Sequence, residues 1–346
     1  MINKKIALLR KKFRKLNIDG YIIPKNDEFF SEYAVKDRLK IISNFSGSAG
    51  LAIILKKKNY LFVDGRYTIQ AEQQSGKQFK IIEISKFLPH KIIKYLTLGF
   101  DPSLFTKKQL NIYFGNSLNL VSININLVDQ IYKNKITKTK PFFSLNNNVV
   151  GENYKSKINR IINILKIKKA DYLFISAPEN VAWVLNIRGS DQPNSPIPNC
   201  RLLIGKNKKI FLIAKKEKVV KIIKDKKLIS KQIIIPEKFN NLIKKLKGNK
   251  FIIDSQSCSI LNEAIIKTKF KIINRDDPCY KFKSIKTSSE IKHMINAHIE
   301  DGLALTKFIF WIKNINTKKI NEIDAQNKLE KFRKLNKNYL FPSFNT

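Results

Sequence analysis

Two blocks of this chain carry the same short, β-branched runs in the same order, about 150 positions apart. Tyr21-Ile22-Ile23 is echoed by Tyr172-Leu173-Phe174-Ile175, and Leu51-Ala52-Ile53-Ile54-Leu55 by Arg201-Leu202-Leu203-Ile204. Leu61-Phe62-Val63 returns as Ile210-Phe211-Leu212-Ile213, and Phe100-Asp101-Pro102-Ser103 as Ile252-Ile253-Asp254-Ser255. Four agreements in order, at nearly one spacing, constrain the chain to two domains of one architecture.

Helical periodicity lies between the runs. Residues 4–16 place Ile6, Leu9, Phe13 and Leu16 on one face, and 66–74 read as a second helix. Further strand runs are Tyr60 to Asp64, Lys80 to Ile84 and Val121 to Ile125. Strands interleaved with helices predict an α/β fold, each domain a mixed sheet flanked by helices. The expected domains are 1–135 and 149–280, joined by the polar Lys/Thr/Asn stretch 133–148 with its Pro141.

A third element, 284–346, opens on Thr287-Ser288-Ser289-Glu290, a capping box in which hydroxyl and carboxylate satisfy each other's amides. A long helix to about 313 should follow, with Ile291, Met294, Ile295, His298, Leu305, Ile309 and Ile312 mostly on one face. A second helix is expected over 321–335. Two amphipathic helices with no strand after them read as the truncated start of a further domain.

The formal net charge of +40 invites a nucleic-acid reading. Only nine of the 67 basic residues are arginine, the residue suited to bidentate phosphate and base contacts, and the lysines are spread along the whole length. The charge is therefore read as solvated faces, with no specific nucleic-acid partner. No run of about 18 apolar residues predicts a membrane span, and the apolar stretch Ile6-Ala7-Leu8-Leu9 is too short for a signal-peptide core. Three scattered cysteines, Cys200, Cys258 and Cys279, fit a reduced cytoplasm.

Candidate chemistry is sparse. Ser46-Gly47-Ser48-Ala49-Gly50 lacks the third glycine of a dinucleotide loop and precedes a strand, so a tight turn is expected. Asp64-Gly65-Arg66-Tyr67 reads as a helix cap and Asp276-Asp277-Pro278 as a turn. His90 is expected in a loop, and His293 and His298 are five apart on one helix, about 140° around it, too divergent to chelate together. His298 is expected to pack against its neighbours. Residues 188–198, an Arg-Gly-Ser-Asp followed by three prolines, are the most function-like stretch.

The segments Tyr21-Ile22-Ile23-Pro24 with Ser31-Glu32-Tyr33, Gly47-Ser48-Ala49-Gly50, Asp64-Gly65-Arg66-Tyr67, Gly99-Phe100-Asp101-Pro102 and Leu127-Val128-Asp129-Gln130-Ile131-Tyr132 stand in the first block. Ala182 to Asp191, Lys283 to Glu290, Ala297 to Gly302 and Phe341-Pro342-Ser343-Phe344 follow. In this order the chain resembles a three-domain Xaa-Pro aminopeptidase (aminopeptidase P) of the creatinase/prolidase "pita-bread" metallopeptidase group, its N-terminal portion only. The resemblance implies two creatinase-like N-terminal domains and a cytoplasmic, homodimeric metallo-exopeptidase that removes the residue before a proline at position two of a peptide. It also implies two divalent metal ions, usually manganese, held by two Asp, one His and two Glu, with a further His at the leaving group. All of these fall beyond the matched segment, so no catalytic residue and no metal are expected in this chain. It further implies N-terminal domains that help close the active site, so Arg188 and Asp191 are expected to line the mouth of the cleft; the other reading of the residues is an Arg–Asp pair that fixes the loop to its own domain. The alternative is a non-catalytic dimerisation or partner-binding module.

Overall fold

The computed structural model describes residues 2–31, 33–115, 117–132, 140–315 and 319–344. Glu32, the expected linker residues 133–139, Asn345 and Thr346 lie outside them. The strands are β1 Gly20–Pro24, β2 Gly50–Leu55, β3 Asn59–Val63, β4 Lys80–Glu83, β5 Thr97–Phe100, β6 Asn119–Ser122 and β7 Phe143–Ser144. There follow β8 Tyr172–Ile175, β9 Ile187–Arg188, β10 Arg201–Gly205, β11 Ile210–Ile213, β12 Ile233–Ile234, β13 Lys250–Ile253 and β14 Lys271–Asn274.

One sheet runs β4-β3-β2-β1-β5-β6 and the other β12-β11-β10-β8-β13-β14, the same order twice. In each, the central strand pairs antiparallel with one neighbour and parallel with the other: β1 with β2 and β5, β8 with β10 and β13. All residues of β1 and β8 are buried, which is why they read as unbroken apolar runs rather than alternating ones. Each sheet has an apolar cluster on both faces. One face of the first is packed by Ile6, Leu9 and Phe13 of the helix Ile2–Leu16, and one face of the second by Ile158, Ile161, Ile162 and Leu165 of the helix Tyr154–Ile167.

The two units meet through equivalent corners. The Ile260 amide donates to the Phe105 carbonyl (2.9 Å) and the Leu261 amide to the Pro102 carbonyl (3.0 Å). Ile260 packs on the first domain's core, while Arg201 donates to the Glu28 carbonyl and stacks 4.4 Å from the Phe29 ring centroid.

The helix expected over 66–74 begins as a 3-10 turn, Gly65–Tyr67, and becomes α-helical only at Thr68–Ser75, because Asp64 caps the Arg66 amide at 3.0 Å. The stretch expected as linker is, in its second half, part of the second unit. Phe142 is fully buried, its amide donates to Lys218 O (2.7 Å), and β7 pairs antiparallel with β9. Polar composition hid one aromatic anchor.

The third element is a helical hairpin, Ser288–Lys313 and Glu322–Arg333, each opened by a capping box. Arg333 clasps Asp301 with two bonds, 2.6 and 3.1 Å. In the long helix only Ala304 is buried, and Ile291, Met294, Ile295, Ile299, Leu303 and Phe310 are exposed. His298, expected to pack, is exposed with them, since nothing among the described residues covers that face.

Phe142→Ala removes a fully buried ring and should cost about 3–5 kcal/mol of stability. In urea denaturation it should shift the midpoint of the second domain's transition; a shift of less than about 1 kcal/mol would return the stretch to a linker.

Candidate functional site

The helix Pro178–Leu185 starts on a proline, which suits a first turn, and ends at Asn186 in the left-handed conformation (φ 50°). Its last carbonyls are satisfied by cations. Lys157 Nζ donates to Trp183 O (3.0 Å) and to Asn186 Oδ1 (2.7 Å), 4.3 Å from the Trp183 ring centroid. Lys227 Nζ donates to Leu185 O (2.9 Å) and Asn186 O (3.0 Å). Arg188 Nη1 reaches Ala182 O (3.3 Å) and Ile187 O (2.9 Å). Three cations thus converge on the negative end of one helix dipole.

None of the three touches a carboxylate among the described residues, although Glu290 and Glu152 lie within electrostatic reach of Lys157. Burial lowers the Lys157 ammonium to about 8, against the opposing charges of Glu290 and Glu152. Burial likewise lowers Lys227 to about 8.

The loop that leaves this cap is pinned twice. Gly189 donates to Pro196 O (3.0 Å), and a Cβ there would lie 2.8 Å from Pro198 Cα, so only glycine fits. Asp191, its carboxylate 4% exposed, pairs with Lys218 and accepts from the Asn199 amide at 2.6 Å. Arg188 and Asp191 are therefore not partners of each other. Arg188, half-buried, is tied to the helix end and Asp191 to the helix Lys216–Lys224.

The site has a counterpart in the first domain. There the helix Arg38–Ser43 also ends on a left-handed asparagine, Asn44 (φ 71°), and Lys5 Nζ donates to Ile41 O (2.9 Å). Asn44-Phe45-Ser46-Gly47-Ser48 thus corresponds to Asn186-Ile187-Arg188-Gly189-Ser190. Arg188 occupies the place of Ser46 in the glycine-rich turn, and that N-x-x-G-S echo was available in the sequence. Seven positions separate Asn44 from Leu51 and fifteen separate Asn186 from Arg201, so the proline-rich excursion is an eight-residue insertion. The lysine caps carried no such signal, since a lysine on a helix face reads as solvated.

The remaining candidates are structural. Asp277 caps the helix Pro278–Ser284 through the Cys279 amide (2.9 Å) and accepts from Asn180 (2.8 Å). His90 lies in a short helix, Pro89–Ile92, not a loop, with its Nδ1 3.1 Å from Tyr113 O. Cys200, Cys258 and Cys279 are free and buried, and burial pushes each thiol up, away from nucleophilic use. Among the described residues no three of His, Cys, Asp and Glu converge in a way that could hold a metal, and no helix is long and apolar enough to cross a membrane.

The two lysines set a pH dependence. Both keep a proton less readily folded than unfolded, so between about pH 8 and the unfolded value of about 10.4 the unfolded chain binds more protons and stability rises with pH. The thermal midpoint of Lys157→Met, measured against the native chain, should show a smaller rise over that window. An identical rise would mean that Lys157 ionises as it does in solvent.

Comparison with known proteins follows the fold. Residues 5–123 and 133–290 each match a creatinase/prolidase N-terminal domain family. The chain is 30% identical over its full length to Xaa-Pro aminopeptidase 1 of Dictyostelium discoideum, of which it covers 59%. It is 29% identical to a probable Xaa-Pro aminopeptidase P of Laccaria bicolor over 95% of its own length and 55% of that protein. It superposes on the X-prolyl aminopeptidase of Caenorhabditis elegans, a cytosolic enzyme with a di-nuclear active site, with a TM-score of 0.84 and 25% identity, over 99% of this chain and 61% of that one. It thus spans little more than half the length of the relatives it matches. Two repeats of one sheet order, each matched by an N-terminal domain family, place this chain in the creatinase/prolidase family, with Xaa-Pro aminopeptidases as its relatives over nearly its whole length.

Proposed function

We propose that this chain forms the N-terminal scaffold and opening helices of an Xaa-Pro aminopeptidase, a metallo-exopeptidase that frees the residue preceding proline at a peptide N-terminus. The superposition on the nematode enzyme over 99% of the chain carries this reading. On it, the working protein is a cytoplasmic homodimer that uses two divalent ions, manganese being the expected metal. The histidines of this chain do not fit such a centre. One is bonded to a backbone carbonyl, and the others diverge on one exposed helix. The proposal therefore draws the metal ligands from sequence of the kind the relatives have outside the matched span.

The boundaries proposed for the units remain 1–135, 149–280 and 284–346, with residues from Phe142 onward serving the second. Within the working enzyme, Arg188 faces the start of the third element, where Glu290 acts electrostatically on it. We assign Arg188 to the mouth of the cleft, and Asp191, beside it in sequence, to holding that mouth in shape through Lys218. A second reading, a dimerisation or partner-binding module, draws on the exposed apolar face of the long helix.

With manganese and a peptide bearing proline second, the 346-residue chain should show no turnover above the blank. The same chain joined to the remaining sequence of the Dictyostelium relative should cleave it. Turnover by the chain alone, with stoichiometric metal uptake, would overturn the assignment, and a folded but inactive joined protein would favour the module. In the joined protein, Arg188→Ala should lower kcat/KM about tenfold. Unchanged kinetics with a lower Tm would reduce Arg188 to a clamp.

A further inference from the structure

The two domains serve as controls for each other. Asn17 (φ 50°) and Lys169 (φ 49°) end the equivalent helices Ile2–Leu16 and Tyr154–Ile167. Next to them, Ile18 N bonds Phe13 O (3.1 Å) just as Ala170 N bonds Leu165 O (2.9 Å). Where β6 and β14 end, Ile123 N bonds Phe100 O (2.8 Å) and Arg275 N bonds Ile253 O (3.0 Å). Leu16, Ile18 and Ile123 of the first domain thus correspond to Lys168, Ala170 and Arg275 of the second.

In the first domain this corner is shut. Ile18 and Ile123 close over Gly99, where a Cβ would meet them at 2.9 and 2.5 Å, and Leu16 packs on the same core. In the second domain Ile252 stands in Gly99's place, but the three apolar plugs have become one alanine and two cations. The result is a cavity of about 480 Å³ with Ile161, Leu165, Leu173 and Ile252 on its floor and Lys168 and Arg275 at its rim. Its size lies in the roughly 300–1,000 Å³ range of small-molecule sites. Lys168 and Arg275 are exposed, and neither is paired with a carboxylate among the described residues. The rim also holds one carboxylate, Asp276, whose Oδ1 lies 3.5 Å from Gln256 Nε2.

We propose that this corner binds a small amphipathic carboxylate, its head between Lys168 and Arg275 and its apolar body on the floor beneath. The charge pattern selects the class. Apolar area favours any hydrocarbon, but the two unpaired cations at the mouth favour one that ends in an anion, and the planar guanidinium matches a carboxylate fork. The site is independent of the peptidase reading and lies wholly within the second domain.

The probe is octanoate, titrated calorimetrically into the intact chain below its micellar concentration, with octan-1-ol as the uncharged comparison. Saturable one-to-one binding is expected, and octanol should bind about tenfold more weakly. Arg275→Ile and Ala170→Ile each rebuild a plug of the first domain. Each should weaken octanoate about tenfold or more while leaving Tm unchanged or raised. Lys168→Gln, which removes the second cation without restoring the leucine plug, should weaken octanoate but not octanol. Absence of saturable octanoate binding would overturn the proposal. So would undiminished binding by Arg275→Ile and Ala170→Ile, which would place the ligand elsewhere, on the exposed face of the helical hairpin.

Discussion

The structure depends on a buried carboxylate at the exit of each sheet's inner parallel strand. Asp101, after β5, accepts from Ser103 N (2.9 Å) and from Asn126 Nδ2 (2.9 Å). Asp254, after β13, accepts from Gln256 N (2.8 Å) and from Asp277 N (3.1 Å). Asn126 and Asp277 are themselves the N-caps of the helices that follow each sheet. One carboxylate thus sets the turn out of the sheet, the start of the closing helix and the corner where the domains meet. A buried carboxylate is tolerable only when its oxygens are satisfied. That demand fixes the backbone around it, and the fixed corners then present Phe105 and Pro102 to the amides of Ile260 and Leu261.

From that shared frame the copies diverge where the frame leaves freedom. The turn after the left-handed asparagine is a compact glycine-rich loop in one and a proline-stiffened excursion eight residues longer in the other, because neither length disturbs the strands on either side. The helix-to-strand corner is plugged by isoleucines in one and rimmed by cations in the other, because its position at the sheet's end lies beyond the last ladder bond. Both departures are in the second domain.

Much of this was legible in the residues, for a physical reason. Central strands buried on both faces must be written as unbroken apolar runs, so β1, β2, β8 and β10 announced themselves, and the capping box at Thr287 placed the long helix from its first residue. What stayed hidden were interactions that no local pattern encodes. Phe142 sits in a polar stretch, yet its ring fills the second core. Lys157, on an amphipathic helix, reads as solvated, but folds inward because the helix end it meets offers carbonyls in need of donors. The equivalence of Arg188 with Ser46 was obscured because loops change the offset between the copies, so a search at one spacing passes over it. Arg188 and Asp191 stand three apart in one loop of the sequence, and the structure divides their partners between two helices.

The same reasoning explains how the chain tolerates its charge. With 67 basic residues and 27 acidic ones, most cations have no carboxylate to pair with. Several cations drawn against the fold use backbone carbonyls instead: Lys5 on Ile41, Lys157 on Trp183, Lys227 on Leu185 and Asn186, and Lys269 on Lys244 at 2.6 Å. Several of these acceptors lie at or near helix C-termini, where orphan carbonyls and the dipole favour positive charge. A carbonyl compensates a buried ammonium less fully than a carboxylate does, which is why Lys157 and Lys227 hold their protons so weakly. Scarcity of acid thus changes how the helices are capped without changing the fold. It also leaves cations such as Lys168 and Arg275 unpaired at the one corner of the second domain where the apolar plug is missing.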